Sequence, residues 1–318
     1  MAAVMVTGAA GFVGSHVVDA LLARGETVLG VDNFDPYYSR AVKRQNITAA
    51  LAQPAYVLHE VDVCDYATLC QVAEAAGVDR IVHLAALAGV RASVQRPDDY
   101  LHVNTIGAHN ILKLSQVLQT RQVVLASTSS VYGENARLPF DEADPADRPL
   151  APYPASKRAA ELLAYTYHHL YQRSYAVVRF FSVYGPRGRP DMMPYMLAES
   201  ITAGREVKLF AGGELHRDWT YISDIVAGVL GALDTPRGYQ IYNLGRGEPV
   251  RMADFVEILE ALAGKRANVV HVPAPATEPT RTWASITRAQ TDFGYAPQVD
   301  VHSGLAHFWR WFSEERVC

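Results

Sequence analysis

The chain has 318 residues, of which 49% are hydrophobic and 19% charged, with a formal net charge of −4. This composition supports one large core or two domains sharing a cleft, and it offers no basic surface for nucleic acid. Apolar runs are short and broken by Gly, Pro or charge, well below the roughly 20 residues that a membrane-spanning helix requires.

The run Met1-Ala2-Ala3-Val4-Met5-Val6-Thr7-Gly8 lacks a basic region and a cleavage site, so we expect no signal peptide and a cytoplasmic protein. Residues 4–7 read as a first strand and 12–23 as a helix ended by Arg24-Gly25. Residues 27–31 form a second strand running into Asp32. Further strands are expected at 56–59, 80–84, 123–126 and 176–180, with helices at about 66–76, 98–118 and 154–171. Cys64, Cys70 and Cys318 are odd in number and lack metal-ligand spacing, which predicts free thiols in a reducing compartment and no metal.

Such alternation marks an α/β protein built on a doubly wound parallel (Rossmann) sheet, whose ligands sit beyond the carboxyl ends of the strands. From Tyr184-Gly185-Pro186-Arg187-Gly188-Arg189-Pro190 onward the segments are shorter and richer in Gly and Pro. We therefore expect a large domain over 1–181 and a smaller C-terminal domain over 182–318, with 222–243 returning to the large sheet.

Four groups of residues point to a cofactor site. Gly8-Ala9-Ala10-Gly11-Phe12-Val13-Gly14 follows the first strand and opens the first helix. A small-residue turn there aims backbone N–H groups and the helix dipole at a pyrophosphate. Asp32, with Asn33, ends the second strand, where a carboxylate accepts hydrogen bonds from an adenosine ribose and repels a 2′-phosphate. That favours NAD over NADP, with Arg40 and Lys43 near enough in sequence to soften the choice. Asp62 and Val63 close the third strand, where Asp62 either meets an adenine amino group or caps a helix. Ala85, Ala86 and Ala88 follow the fourth strand, and their small side chains permit close backbone approach to a cofactor.

Tyr153 and Lys157 are four residues apart, on one helix face. A phenol with a pKa near 10 is a poor base, but a nearby ammonium and a positive nicotinamide favour the phenolate. Thr128 adds a hydroxyl that can hold or relay the proton. The alternative is a surface Tyr on an amphipathic helix. Pro154 is acceptable in a first helical turn, and the helix is expected to begin there.

On TGAAGFVGSH (7–16), HLAALAGVRAS (83–93), ASTSSVYG (126–133), YPASK (153–157), VYGPRGRPDM (183–192), RDWTYISDI (217–225) and YNLGRG (242–247), the chain resembles the extended short-chain dehydrogenase/reductase family, nearly end to end. Within it the chain is similar to the nucleotide-sugar epimerases, above all the UDP-glucuronate 4-epimerases. The resemblance implies tightly held NAD, Tyr153 as base, Lys157 as its partner and Thr128 as relay. It implies isomerisation at C4 of a UDP-sugar through a transient 4-keto intermediate.

Several substrate contacts are implied in the same way. Arg189, with Ser129, Ser130 and Ser182, is expected at the sugar carboxylate; its alternative is a surface loop arginine. Arg217 is expected at the phosphates and Glu278 near the uridine ribose. Lys208, Leu209 and Phe210 are expected to flank the base with backbone groups, and Arg91 stands in the AGVR loop. Related dehydratases carry Asp-Glu after the Thr, and related decarboxylases an acid just before Val-Tyr-Gly. Here those places hold Ser129 and Ser130, which cannot act as carboxylates. Many neutral-hexose epimerases carry an Arg just before the acidic position, where this chain has Pro275-Ala276-Thr277. The rival readings are thus a neutral UDP-hexose epimerase, a UDP-glucuronate decarboxylase or 4,6-dehydratase, and a non-enzymatic NAD-binding scaffold. Related proteins pair the equivalents of 98–118 and 154–171 across a two-fold axis, so a homodimer is expected; Leu162, Leu163, Tyr167 and Leu170 serve either that interface or the chain's own core.

Overall fold

A computed structural model describes residues 3–133 and 137–316. Cys64 and Cys70 are free thiols, and Cys318 lies outside the described residues. Short runs rich in Val, Leu and Ile form the central strands because both faces of each are covered, whereas the edge strand carrying Val57 is half open. β1 (Ala3–Thr7), β2 (Val28–Val31), β3 (Tyr56–His59), β4 (Val78–His83), β5 (Gln122–Thr128) and β6 (Tyr175–Phe180) join β10 (Tyr239–Leu244) in one sheet. Its order is β10-β6-β5-β4-β1-β2-β3, and every pairing is parallel.

Alternate side chains of β1 face opposite layers. Val4 and Val6 pack with Val17, Val18 and Leu21 of helix Phe12–Ala23 and with Ile225 and Val229 of helix Ile222–Asp234. Met5 packs with Leu69, Ile111, Leu112, Ala160 and Ala164 on the other face. The chain order reverses between β1 and β4, so a crevice opens at their carboxyl ends.

Residues 182–272 add two small sheets. β7 (Ser182–Tyr184), β9 (His216–Tyr221) and β11 (Pro249–Arg251) form one, and β8 (Glu206–Phe210) with β12 (Asn268–Val272) the other. Trp219 stacks on Phe255 with ring centroids 4.3 Å apart, and Tyr184 meets both rings edge-on.

Two elements depart from the sequence expectation. The helix expected over 98–118 is three pieces: Pro97–Leu101, a wide π-helical turn His102–Ile106, and Gly107–Val117. Asn104, buried within the wide turn, uses both amide atoms: Oδ1 accepts from the Leu87 N–H (2.8 Å), and Nδ2 donates to Leu87 O (3.0 Å) and Ser156 Oγ (3.0 Å). Such wide turns recur at functional sites. The helix expected to open at Pro154 opens at Pro152 and runs to Tyr171. Both prolines fall in the first turn, where a missing N–H breaks no helical hydrogen bond.

Candidate active site

The glycine loop is shaped by contacts that exclude side chains. Gly8 has φ +68 and donates its N–H to Val31 O (2.8 Å), while Gly11 N–H returns to Gly8 O (3.0 Å). A Cβ on Gly14 would lie 2.0 Å from Gly8 O, and one on Gly8 would lie 2.8 Å from Ala85 N. The first helix, the glycine turn and the Ala85 loop are therefore in backbone contact. Between them lies a cavity lined by Gly8, Gly11, Phe12, Val13, Gly14, Asp32, Asn33, Val63, Ala85, Ala86, Ala88, Tyr153, Lys157 and Arg189. Its floor is a helix N-terminus approached by three glycines that carry no side chains, the shape and polarity that a dinucleotide pyrophosphate requires.

Asp32 is buried. Its Oδ2 accepts from Ala10 N–H (3.1 Å) and its Oδ1 from Phe34 N–H (2.8 Å), leaving one lone pair on each for ribose hydroxyls. Lys43 Nζ stands 3.8 Å from Oδ1 and donates to Asp35 O (3.0 Å). Asp62 differs from expectation. β3 stops at His59, so Asp62 lies in the following loop, where it accepts from Asn33 Nδ2 (2.9 Å) and Cys64 N–H (2.7 Å). The helix cap at Tyr66–Ala75 belongs to Asp65, and the adjacent wall of the cavity is formed by Val61 and Val63.

β5 ends at Thr128, directly opposite Phe180 of β6. Ser129 and Ser130 follow in a tight 3₁₀ turn, and Ser182 opens β7 two residues beyond Phe180. The three serines thus gather at one end of the sheet, beside the cavity but outside its lining. Thr128 Oγ1 bonds Ser130 Oγ and Ser130 N–H, each at 3.2 Å, and hydrogen-bonds the Tyr153 phenol. Burial holds that phenol above its usual value, while the Arg189 guanidinium and the Thr128 bond pull it down.

Lys157 is 2% exposed, and burial lowers its ammonium to about 8 against the opposing pull of Glu161. Glu161 sits one turn further along the helix, held by Arg179 (3.0 and 2.7 Å), Arg158 (2.9 Å) and the Ser127 hydroxyl. His83 lies behind Lys157. Its Nδ1 is 2.7 Å from Thr7 Oγ1, and burial, reinforced by Lys157, lowers it to about 3, so the ring is neutral and adds no repulsion.

Arg189 lines the same cavity. Its Nε and Nη2 meet Asp191 Oδ1 and Oδ2 at 2.9 and 3.0 Å, and Tyr37 donates its hydroxyl to Asp191 Oδ2 (2.9 Å). Burial is the largest single effect and works against the Arg189 charge, but the Asp191 bond and the Asp191 charge together outweigh it and raise the guanidinium further. A second cluster lies apart from the cavity lining. Arg217 pairs with Glu278 (2.8 Å), Arg91 Nε is 3.8 Å from the other Glu278 oxygen, and the Arg91 guanidinium covers the Phe210 ring at 5.1 Å. Lys208 is exposed, and the Leu209 side chain is buried in the core, which leaves only its backbone for a ligand.

Sequence reasoning missed Tyr37, Asp191, Asn104, Glu161 and His83. Two of them carried a usable signal: Asn104 is a polar amide within a helix expected to be continuous, and Glu161 lies one helical turn after Lys157.

Residues 4–245 match the NAD dependent epimerase/dehydratase family. The chain belongs to that family. It is 42% identical over 328 residues to UDP-glucuronate 4-epimerase 2 of Arabidopsis thaliana, covering 97% of this chain and 75% of the relative. It is 39% identical over 311 residues to the UDP-glucuronate 4-epimerase of Thermodesulfobacterium geofontis, covering 98% and 96%. Among solved structures, it superposes on a UDP-glucuronic acid 4-epimerase from Bacillus cereus, in complex with UDP-glucuronic acid and NAD, with a TM-score of 0.90 and 31% identity over 98% of this chain and 99% of that one.

Proposed function

We propose that this protein is an NAD-dependent isomerase that interconverts UDP-glucuronate and UDP-galacturonate by inversion at C4. The observation that carries this reading is the cation Arg189 in the wall of the same cavity as Tyr153 and Lys157, with serines rather than carboxylates beside Thr128. The likeness to proteins named for that activity supports it.

NAD fits the side-chain-free cradle of Gly8, Gly11 and Gly14, with the N–H groups at Phe12 and Val13 toward the pyrophosphate and the Asp32 carboxylate, beside Asn33, toward the adenosine ribose. Val63 and the backbone of Ala85, Ala86 and Ala88 complete its walls, with Asp62 just outside. When bound, NAD supplies the acceptor for the C4 hydride and the donor that returns it. Tyr153 as phenolate takes the proton of the C4 hydroxyl, and Thr128, bonded to the phenol, shares and returns it. Lys157 favours the phenolate by its charge and holds the nicotinamide ribose. The 4-keto sugar then turns within the cleft, and reduction on its other face completes inversion with no net redox change.

Arg189 grips the sugar carboxylate through parallel charge-assisted bonds, with Ser129, Ser130 and Ser182 adding hydroxyl donors. A 4-keto uronate is a β-keto acid. It loses CO₂ when its C5–carboxylate bond stands perpendicular to the carbonyl plane, because the bonding pair then drains into the carbonyl. Arg189 and the serines hold the bond away from that geometry. Arg217, Glu278 and Arg91 form the nucleotide end of the site, with Lys208, Leu209 and Phe210 alongside the base. Residues 1–181 with 222–243 act as the NAD-binding domain, and the rest of 182–318 as the substrate domain.

Incubation with UDP-glucuronate followed by chromatography is expected to yield UDP-galacturonate without accumulation of reduced NAD; no new nucleotide sugar would reject the reading. Arg189→Ala is expected to lose at least about tenfold in kcat/KM, the scale of one charge-assisted bond, and to release UDP-pentose as a side product. We infer a cytoplasmic homodimer. Among the described residues no helix is long and apolar enough to cross a membrane.

A further inference from the structure

We propose that Asp191 and Tyr37 are positioning residues that aim the free edge of Arg189 at the sugar carboxylate and so set the preference for uronates; this rests on the reading of Arg189 given above. A guanidinium presents two bidentate edges, Nε with Nη2 along its side and Nη1 with Nη2 at its end. Asp191 fills the side edge, at 2.9 and 3.0 Å. Among the described residues Arg189 makes no other hydrogen bond, so its end edge is left for a second carboxylate.

The fork is held from two parts of the chain. Asp191 Oδ2 also accepts the Tyr37 hydroxyl at 2.9 Å, and Tyr37 N–H is fixed on Asp35 Oδ1 at 2.9 Å. Tyr37 belongs to the loop that leaves β2 through Asp32, so the orientation of Arg189 is tied to the loop carrying the ribose carboxylate. The Arg189 guanidinium also lies 5.9 Å from the centre of the Tyr37 ring. A long side chain fixed before the ligand arrives loses little rotamer freedom on binding, and two parallel bonds form only when the fork is aligned. Asp191 has an opposing effect, because it partly neutralises the charge that attracts the substrate. The double anchoring of its carboxylate indicates that alignment dominates over net charge.

The test uses the NAD-loaded protein. Asp191→Asn keeps the shape and removes the charged acceptor; Tyr37→Phe removes only the second anchor. We expect Asp191→Asn to raise the KM for UDP-glucuronate at least fivefold, and Tyr37→Phe to raise it by a smaller factor. The Ki of UDP-glucose, which lacks the carboxylate, is expected to stay within twofold, as is bound NAD. In an Arg189→Ala background, Asp191→Asn is expected to add less than a twofold effect, because it acts through Arg189. An unchanged or lowered KM, an equal rise in the UDP-glucose Ki, or an additive loss in the double variant would overturn the inference alone. A wild-type protein inactive on UDP-glucuronate would overturn the epimerase reading and this inference with it.

Discussion

Lys157 is a cation buried where folding alone would not put one. Burial lowers its ammonium from 10.5 to about 8, and Glu161, itself fully enclosed, prevents a larger fall. One pKa unit corresponds to about 1.4 kcal/mol, so the charged lysine costs the fold about 3 kcal/mol. Because the folded-state value is depressed, the unfolded chain binds more protons between pH 8 and pH 10.5. The penalty is therefore complete below about pH 8 and fades as pH rises toward 10.5. Lys157→Met is expected to abolish epimerisation yet raise the melting temperature of NAD-free protein at pH 7, with the gain shrinking by pH 10. Calorimetry across that range checks it, and a lowered melting temperature at pH 7 would contradict the account. The spacing of Tyr153 and Lys157 was legible in the sequence because it is a one-turn helical repeat. Glu161 continues the same one-turn repeat and was overlooked in it, whereas His83 lies on β4, far from Lys157 in the chain, and meets it only in the folded molecule.

Among the elements, two contacts shape the cofactor cavity. The first is the meeting of helix Phe12–Ala23 with the glycine turn. A Cβ at Gly14 meets the backbone oxygen of Gly8 at 2.0 Å, and no rotamer change relieves a backbone clash; at Gly11 the same oxygen is 3.1 Å away. Gly14→Ala is expected to yield protein with at least tenfold less bound NAD, measured by chromatography after denaturation, whereas Gly11→Ala retains more of it. The second contact is Asn104, which clips the Leu87 backbone to the turn containing Ser156, three residues after Tyr153. Its wide turn escaped sequence reasoning because apolar periodicity reports a continuous helix and does not register one extra residue in a turn.

On the scale of the molecule, the outer faces of the helices around the catalytic tyrosine are unusually apolar. Leu101, Ile106 and Val117 on one side and Leu162, Tyr165 and Leu170 on the other are exposed, each by 45% or more. Of the stripe seen in the sequence, Leu163 and Tyr167 pack inward on the chain's own core, while Leu162 and Leu170 face out. We propose that these side chains form an interface, which a two-fold pairing would bury against itself. Leu162→Asp with Leu170→Asp is expected to convert a dimer to a folded monomer in sedimentation velocity; an unchanged sedimentation coefficient would reject the pairing.

Local and periodic features were decided by the sequence alone. The glycine turn after a strand, the Tyr153–Lys157 repeat and the alternation that makes a doubly wound sheet all depend on neighbours within a few residues, so their geometry follows from backbone sterics. Tertiary structure decided which charges face one another. Tyr37 and Asp191 stand 154 residues apart in the chain, and the Tyr37 hydroxyl donates to Asp191 Oδ2 at 2.9 Å. Arg217 and Glu278 pair across 61 residues. No spacing rule encodes such contacts, because they exist only once segments far apart in the chain have folded against one another.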